Sequence, residues 1–508
     1  MKSKTLKQTL SDWHLLLLLA GARLLFHLLT NGQYGFHRDA LAFLDNGQHL
    51  AWGYVAYPPL TPFVGRIGLA LFGLSLVGIK SLAALAQCVA MVFTGLMAKE
   101  LGGGRGAQVV AAVAAGISIM SLLMSTLFQY ISFDYLWWVL VVYAYIRLLK
   151  SGNPRWWLGI GAAFGLGMMT KYTILFLATA VVLNVVFSRQ LRTHLKSPWL
   201  WAGAGVSLLI FLPNFIWQVQ NNFVSLEFLA AIRARDVALG RTAGYLAQQL
   251  YVNLNPITVP LFLLGIYFYL GQGNGRFRPV VWIYFITLAL FGVSQGRFYY
   301  LAPAYPMMLA GGAVAGERLL AGQPANRQRV WGRVTWGFLA VGAAIGVALA
   351  LPVAPINSAW WHVTSGIHDN FVEQVGWEEM VQTVAEIYAQ KAPNYANLGV
   401  LAGNYGEAAA LNLYGPRYDL PTAVSPVNTY WERGYGTPAP DAVIVLGFSE
   451  SFLRGYFGQC TVVGQNGNRF GVANEESTFA PNIFLCEAAR EPWEQFWPKL
   501  RAFGRVSG

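Results

Sequence analysis

HRDALAFLDNGQHLAWGYVAYPPL, residues 37 to 60, is a polar and aromatic stretch that carries Asp39 directly after the first apolar run, WHLLLLLAGARLLFHLLT (13 to 30). The first 352 residues contain only eight Asp or Glu residues. A carboxylate beside a bilayer surface is a candidate functional group by default, because charge is costly there unless it is used or paired. The stretch therefore reads as the outer loop of a membrane enzyme, with Asp39 as its first candidate residue.

Composition leads to the same class. Of the 508 residues, 55% are hydrophobic and 11% charged, and the mean hydropathy is +0.44, which excludes an ordinary soluble globule. Apolar runs predict eleven membrane spans, at 13–30, 76–98, 107–127, 131–149, 156–170, 172–188, 199–217, 256–271, 279–295, 299–316 and 334–352. The first follows Lys2, Lys4 and Lys7 as a signal peptide would. It contains Arg23 and His27, lacks a small-x-small cleavage site and precedes many more spans, so it reads as a retained anchor.

Basic residues fall in alternate connections: Lys99 and Arg105; Arg147, Lys150 and Arg155; Arg189, Arg192 and Lys196; Arg276 and Arg278; Arg318, Arg327, Arg329 and Arg333. The positive-inside rule makes that side, with the N-terminus, cytoplasmic. The expected organisation is a membrane domain, 1–352, and an exported domain, 353–508, in a bacterial cytoplasmic membrane. Between Arg155 and Arg189 the chain must cross out and back in two short arms, so the turn MMTKYT (168–173) should lie recessed beneath the outer surface with Lys171 at the boundary. A lysine snorkelling to headgroups is the competing account of Lys171.

The tail differs in kind. Residues 353–508 hold fifteen Asp or Glu against nine Lys or Arg, a net of −6, so the overall +12 comes from the membrane part and nucleic acid is not implied. Strand-like runs at 397–403, 441–447, 460–465 and 482–488, with helical runs at 377–390 and 491–503, predict an α/β domain. Cys460 and Cys486 lie on adjacent predicted strands: a disulfide is one reading and two buried thiols the other. Cys88 falls inside a span. The chain has no Walker loop, no G-x-G-x-x-G between strand and helix, no G-x-S-x-G and no H-E-x-x-H, and GNYGE (403–407) reads as a turn.

Taken in order, HRDALAFLDNGQHLAWGYVAYPPL, FDYLWW (133–138), GLGMMTKYTILF (165–176), LPNFIWQVQNNFVSLEFL (212–229), GRFYYLAPAYP (296–306) and NYGEAAALNLYGPRYDLP (404–421) resemble GT-C glycosyltransferases of the family-39 type, related to protein O-mannosyltransferases and the lipid A aminoarabinose transferase. The resemblance implies an α-helical polytopic GT-C membrane part with about eleven spans and a C-terminal α/β extracytoplasmic domain. It also implies transfer of a sugar, with inversion, from a polyprenyl-phosphate donor to an acceptor at the outer face. On this expectation Asp39 is the general base and Asp134 orients; helix capping is the competing account of Asp134. A phosphate leaving group needs cations more than protons, which points to Lys171, Arg297 and Arg38, with Tyr299 and Tyr300 toward donor sugar or lipid. In the tail, Asn404, Tyr405, Glu407, Arg417, Tyr430 and Trp431 are acceptor-side candidates, packing being the alternative.

Two positions depart from the family pattern. Ala40 follows Asp39 where a second acid is common, and Ala56 and Tyr57 occupy the place of an acid before Pro58 and Pro59. A two-carboxylate mechanism is not carried over. His37 and His49 read as structural, so no metal site is assigned, no cofactor is claimed and the need for a divalent metal stays unknown. Trp52, Tyr54, Tyr57, Trp137 and Trp138 fit an interfacial aromatic belt. The other readings are a transporter or lipid flippase, which predicts inverted repeats and broken midplane helices, neither of them evident in the sequence, and a binding module on an inactive membrane part.

Overall fold

The computed structural model describes residues 2–272 and 275–506, with side chains from Trp13 onward; the Lys2, Lys4 and Lys7 side chains lie outside that set. The first eleven α-helices are α1 Lys2–Thr30, α2 Arg38–Gln48, α3 Leu60–Phe72, α4 Leu76–Glu100, α5 Arg105–Gly116, α6 Ile119–Met124, α7 Tyr130–Ser151, α8 Trp156–Met168, α9 Ile174–Phe187, α10 Pro198–Gln220 and α11 Val224–Ala238. Apolar helices Val259–Tyr267, Arg278–Val293, Tyr305–Ala321 and Ala325–Ala350 follow. Each expected span is thus helical, but among the described residues only five helices are individually long and apolar enough to cross a membrane. The rest are short or broken. The run 107–127 divides between α5 and α6, and α8 and α9 have 13 and 14 residues, about 20 Å each at 1.5 Å per residue.

Contacts divide the chain into two compact units. One comprises Met1–Asn31, Val77–Val219 and Arg233–Leu351; the other comprises Gly32–Leu76, Gln220–Ile232 and Pro352–Gly508. The second unit therefore takes in the Asp39 segment, which the sequence predicts as an outer loop and which is largely the helix α2, and a second short stretch with the tail, a grouping that hydropathy along the chain does not reveal.

In the first unit the chain breaks between Tyr245–Asn253 and Pro256–Gln272 with a 95° bend. Backbone groups freed at membrane depth must be satisfied within the protein. Asn255 Nδ2 donates to Gly342 O at 2.6 Å and Ile117 O at 3.2 Å, Asn253 Nδ2 donates to Phe298 O at 2.8 Å, and Ser118 Oγ donates to Asn253 O at 2.7 Å. Ser118 thus satisfies the Asn253 carbonyl at the break, while the Asn253 and Asn255 side chains tie the break to neighbouring backbone, so a broken helix that the sequence did not make evident is present here.

The second unit is built on a four-stranded sheet of order β1-β2-β4-β3, with β1 Leu398–Ala402, β2 Ala442–Leu446, β3 Phe457–Gln465 and β4 Asn482–Ala489. β1 and β2 are parallel, and the other two pairings are antiparallel. β2 is buried at every residue, as its unbroken AVIVL demands, whereas β3 is largely open to solvent. Cys460 and Cys486 face each other across β3 and β4 and are disulfide-bonded. The parallel pair requires a crossover, which contains the helix Tyr405–Tyr414 immediately after β1. α3, in the stretch between the first two expected spans to which the sequence assigns no element, is an apolar helix with Phe63, Ile67 and Leu71 exposed along one face.

Candidate active site

In the second unit Asp39 sits in the first turn of α2, the terminus where a carboxylate is favoured by the unpaired amides and the helix dipole. His37 occupies the N-cap, and its Nδ1 accepts from the Asp39 amide at 3.2 Å. The Asp39 carboxylate is about one-third exposed (34%). Its Oδ1 accepts a hydrogen bond of 2.7 Å from the Tyr405 hydroxyl. Desolvation, followed by the Asp39 charge, holds the Tyr405 phenol well above its usual value, so it remains a donor throughout the physiological range.

Tyr405 is delivered to that position by the end of β1. Asn404 caps the helix Tyr405–Tyr414 by accepting from Gly406 N at 2.8 Å and Glu407 N at 3.0 Å, and the Glu407 carboxylate accepts in return from Asn404 N and Gly403 N. This is a capping box, which fixes the first turn. Asn404 and Glu407 thus hold backbone. Gly406 is required for the approach of the helix to α2: a Cβ there would lie 2.8 Å from Arg38 Cβ and 3.0 Å from the Trp377 ring.

Arg38 is enclosed by carboxylates. It pairs closely with Glu475, and Glu373 and Glu476 stand at 3.8 and 3.9 Å. Burial opposes its charge, but the surrounding anionic groups outweigh burial and push its pKa further up. Burial in turn drives the Glu373 and Glu476 carboxyls upward against the pull of Arg38. The cluster ties the N-terminus of α2 to the tail.

Asp45, farther along α2, is fully buried and pairs with Arg433 at 2.7 Å, and Arg433 Nη2 donates to Asn46 Oδ1 at 2.5 Å. The guanidinium lies 4.5 Å from the centre of the buried Tyr430 ring. Asn46 Nδ2 donates to the Tyr57 hydroxyl at 2.5 Å, and the Tyr54 hydroxyl donates to Asn46 O at 3.0 Å. Trp431 donates through Nε1 to Trp497 O at 3.1 Å. Of the tail candidates, Tyr405 alone makes a hydrogen bond to Asp39; Tyr430 and Trp431 pack, and exposed Arg417 pairs with Glu378 at 3.5 Å. His49 Nδ1 lies 3.1 Å from Asp45 O.

The first unit contains a separate cationic cluster. Lys171, in the turn between α8 and α9, is buried, with Nζ 3.9 Å from the centre of Tyr300, 5.1 Å from Tyr130 and 5.8 Å from Tyr299. Such contacts stabilise an ammonium that has lost its water. Asp134 of α7 is 2% exposed and interacts electrostatically with Lys171, while Thr173 Oγ1 donates to its Oδ2 at 3.4 Å. The N-cap of α7 is Gln129 rather than Asp134, so capping does not account for this carboxylate. Arg297 is gripped by Asp236 through Nε at 2.6 Å and Nη2 at 2.7 Å, and its Nη1 faces the Tyr299 hydroxyl at 3.3 Å. Trp138 is fully buried and stacks on Phe291, a core role. Trp137 Nε1 donates to Thr170, and Trp52 is largely exposed.

Sequence reasoning passed over Asp236, Asp45 and Arg433. Asp236 and Asp45 were among the eight scarce carboxylates, and that scarcity was a usable signal. Arg433 carried none, since its partner lies 388 residues away. Among the described residues, no group of three or more His, Cys, Asp or Glu could hold a metal ion.

Comparison with known proteins bears on the fold. The family model of the dolichyl-phosphate-mannose-protein mannosyltransferases matches residues 56–217, a stretch that contains Asp134 and Lys171 and begins after Asp39. The crystal structure of ArnT from Cupriavidus metallidurans bound to undecaprenyl phosphate superposes with a TM-score of 0.57 at 16% identity, covering 94% of this chain and 98% of that one. The fold is GT-C. Sequence relatives include an uncharacterised protein of Aquifex aeolicus (strain VF5), 26% identical over 268 residues, 49% of this chain and 51% of that protein. The lipid A galacturonosyltransferase RgtD of Rhizobium johnstonii is 23% identical over 257 residues, 47% and 52% of the two chains. The chain thus spans about half the length of the curated relatives it matches.

Proposed function

We propose that this chain is an integral membrane glycosyltransferase that moves a sugar from a polyprenyl-phosphate donor to an acceptor on a lipid, glycan or protein at the outer face of a bacterial cytoplasmic membrane, with the tail on that face. The observation that carries the reading is Asp39: a partly open carboxylate at a helix N-terminus, oriented by a phenol, in a GT-C fold. The undecaprenyl phosphate bound to ArnT, the galacturonosyltransferase name of RgtD and the dolichyl-phosphate-mannose-protein mannosyltransferase family model support the same donor class.

In the proposed reaction Asp39 takes the acceptor hydroxyl proton as the oxygen attacks the anomeric carbon. The new carbon–oxygen bond forms opposite the bond to phosphate, which breaks, and polyprenyl phosphate departs with the bonding pair, giving inversion. For a donor phosphate the first unit offers Lys171, with Arg297 as the second cation; Asp134 orients Lys171, and Tyr299 and Tyr300 are the donor-side candidates. Arg38 is assigned to holding α2, because its charge is already met by Glu475, Glu373 and Glu476. Whether the sugar is a hexose or a pentose is decided by the donors compared in the assay below.

The test is turnover by purified protein in lipid vesicles supplied with undecaprenyl-phosphate-linked hexose, uronic acid and pentose, against nucleotide sugars. Cleavage of a lipid-linked donor with release of undecaprenyl phosphate is expected. Turnover of nucleotide sugars alone, or movement of the intact lipid-linked sugar across the bilayer without cleavage, would overturn the reading and favour a flippase.

A further inference from the structure

The mechanism above needs Asp39 as a base but says nothing of what fixes its carboxylate. Oδ1 is engaged by the Tyr405 hydroxyl at 2.7 Å, while Oδ2 lies 3.8 Å from His37 Nδ1, a nitrogen already accepting from the Asp39 amide. The phenol comes from the tail, at the C-terminal end of a parallel strand, where open α/β sheets commonly present functional groups. Three features hold it there: the Asn404–Glu407 capping box, the missing side chain at Gly406 that lets Arg38 and Trp377 approach, and the ion pairs from Arg38 to Glu475 and its neighbours. A group meant only to fill space would need neither the hydroxyl nor this support.

We propose that Tyr405 is a positioning residue for Asp39: its hydroxyl holds Oδ1 and so sets the orientation of the carboxylate, making the tail part of the apparatus that orients the base. This rests on the glycosyl-transfer reading. A hydrogen bond to an ionised group contributes enough that its loss lowers turnover about tenfold to a hundredfold. The loss belongs in kcat, because the phenol touches the base and not the donor.

The experiment compares wild type, Tyr405→Phe, Asp39→Asn and the double variant in vesicles, with the undecaprenyl-phosphate sugar that the wild type turns over. Tyr405→Phe is expected to lower kcat about tenfold to a hundredfold with donor KM and melting temperature unchanged, and to cost nothing further in the Asp39→Asn background. Unchanged kcat in Tyr405→Phe, or equal losses with and without Asp39, would overturn the inference. Full activity of Asp39→Asn would instead sink the glycosyl-transfer reading, so the two failures are separable. If the phenylalanine variant does not fold, 3-fluorotyrosine and 3,5-difluorotyrosine at position 405 keep the contact while changing its strength. Turnover should then shift stepwise with KM constant, and equal rates would overturn the inference. A donor-free check is the Tyr405 ring-carbon resonance beside the hydroxyl, which should move in Asp39→Asn; an unmoved resonance contradicts the contact.

Discussion

With Arg433 removed, Asp45 would lose its ion-pair partner where water does not reach, since the pair spans 2.7 Å and the carboxylate is fully buried. Arg433→Ala is therefore expected to cost about 3–5 kcal/mol. Replacing both by apolar residues of similar volume should cost much less, and denaturant or thermal unfolding checks the pair. On the other unit, Lys171→Glu and Arg297→Glu should each weaken binding of undecaprenyl phosphate at least tenfold, since each sets a carboxylate where a cation now stands, about 1.4 kcal/mol or more. Unchanged affinity in both would remove these residues from phosphate binding. Asp39 and Lys171 were legible in the sequence because charge is conspicuous in apolar surroundings. The Tyr405, Asp236 and Arg433 contacts were not, because pairings across 366, 61 and 388 positions leave no local pattern.

Helices and strands show where periodicity suffices. The tail strands at 397–403, 441–447 and 482–488 were readable within a residue or two because short β-rich runs lie between turn residues. α3 was missed because Pro58 and Pro59 precede it and Pro62 sits in its first turn, signals that read as loop although proline is tolerated there. The break after Asn253 was missed because its replacement hydrogen bonds come from distant side chains. The helix Tyr405–Tyr414 yields a further prediction. Burial raises the Glu407 carboxyl from the usual 4.5 to about 7 against two amide donors. In the folded state it therefore holds a proton that the unfolded chain releases between those values. Its contribution is full below pH 4.5 and is lost as pH rises through about 7. Melting temperature should fall between pH 5 and pH 8, and Glu407→Gln, neutral throughout, should flatten that fall. A slope that survives the substitution would place its origin elsewhere, with Glu373 and Glu476 next in line. Asn404→Ala should cost about 0.5–2 kcal/mol through loss of the cap.

For the whole molecule, the GT-C architecture was within reach of hydropathy and motif order, because span placement depends on composition. The grouping of residues 32–76 and 220–232 with the tail was not, because it depends on contacts between distant segments. The Cys460–Cys486 disulfide fits an oxidising compartment. A tail on the outer face predicts that alkaline phosphatase fused after Gly508 is active in a bacterial host while a cytoplasm-dependent fluorescent reporter at the same point is dark; the reverse would invert the topology. The central claim is that Asp39 is the base of a polyprenyl-phosphate sugar transferase. Its most direct test is the single-turnover rate of Asp39→Asn with the lipid-linked sugar that the wild type uses, in vesicles, alongside the melting temperature of each protein. The account predicts a loss of about 10²- to 10⁴-fold with donor binding and melting temperature retained. A variant that folds, binds donor and transfers sugar at the wild-type rate would contradict it.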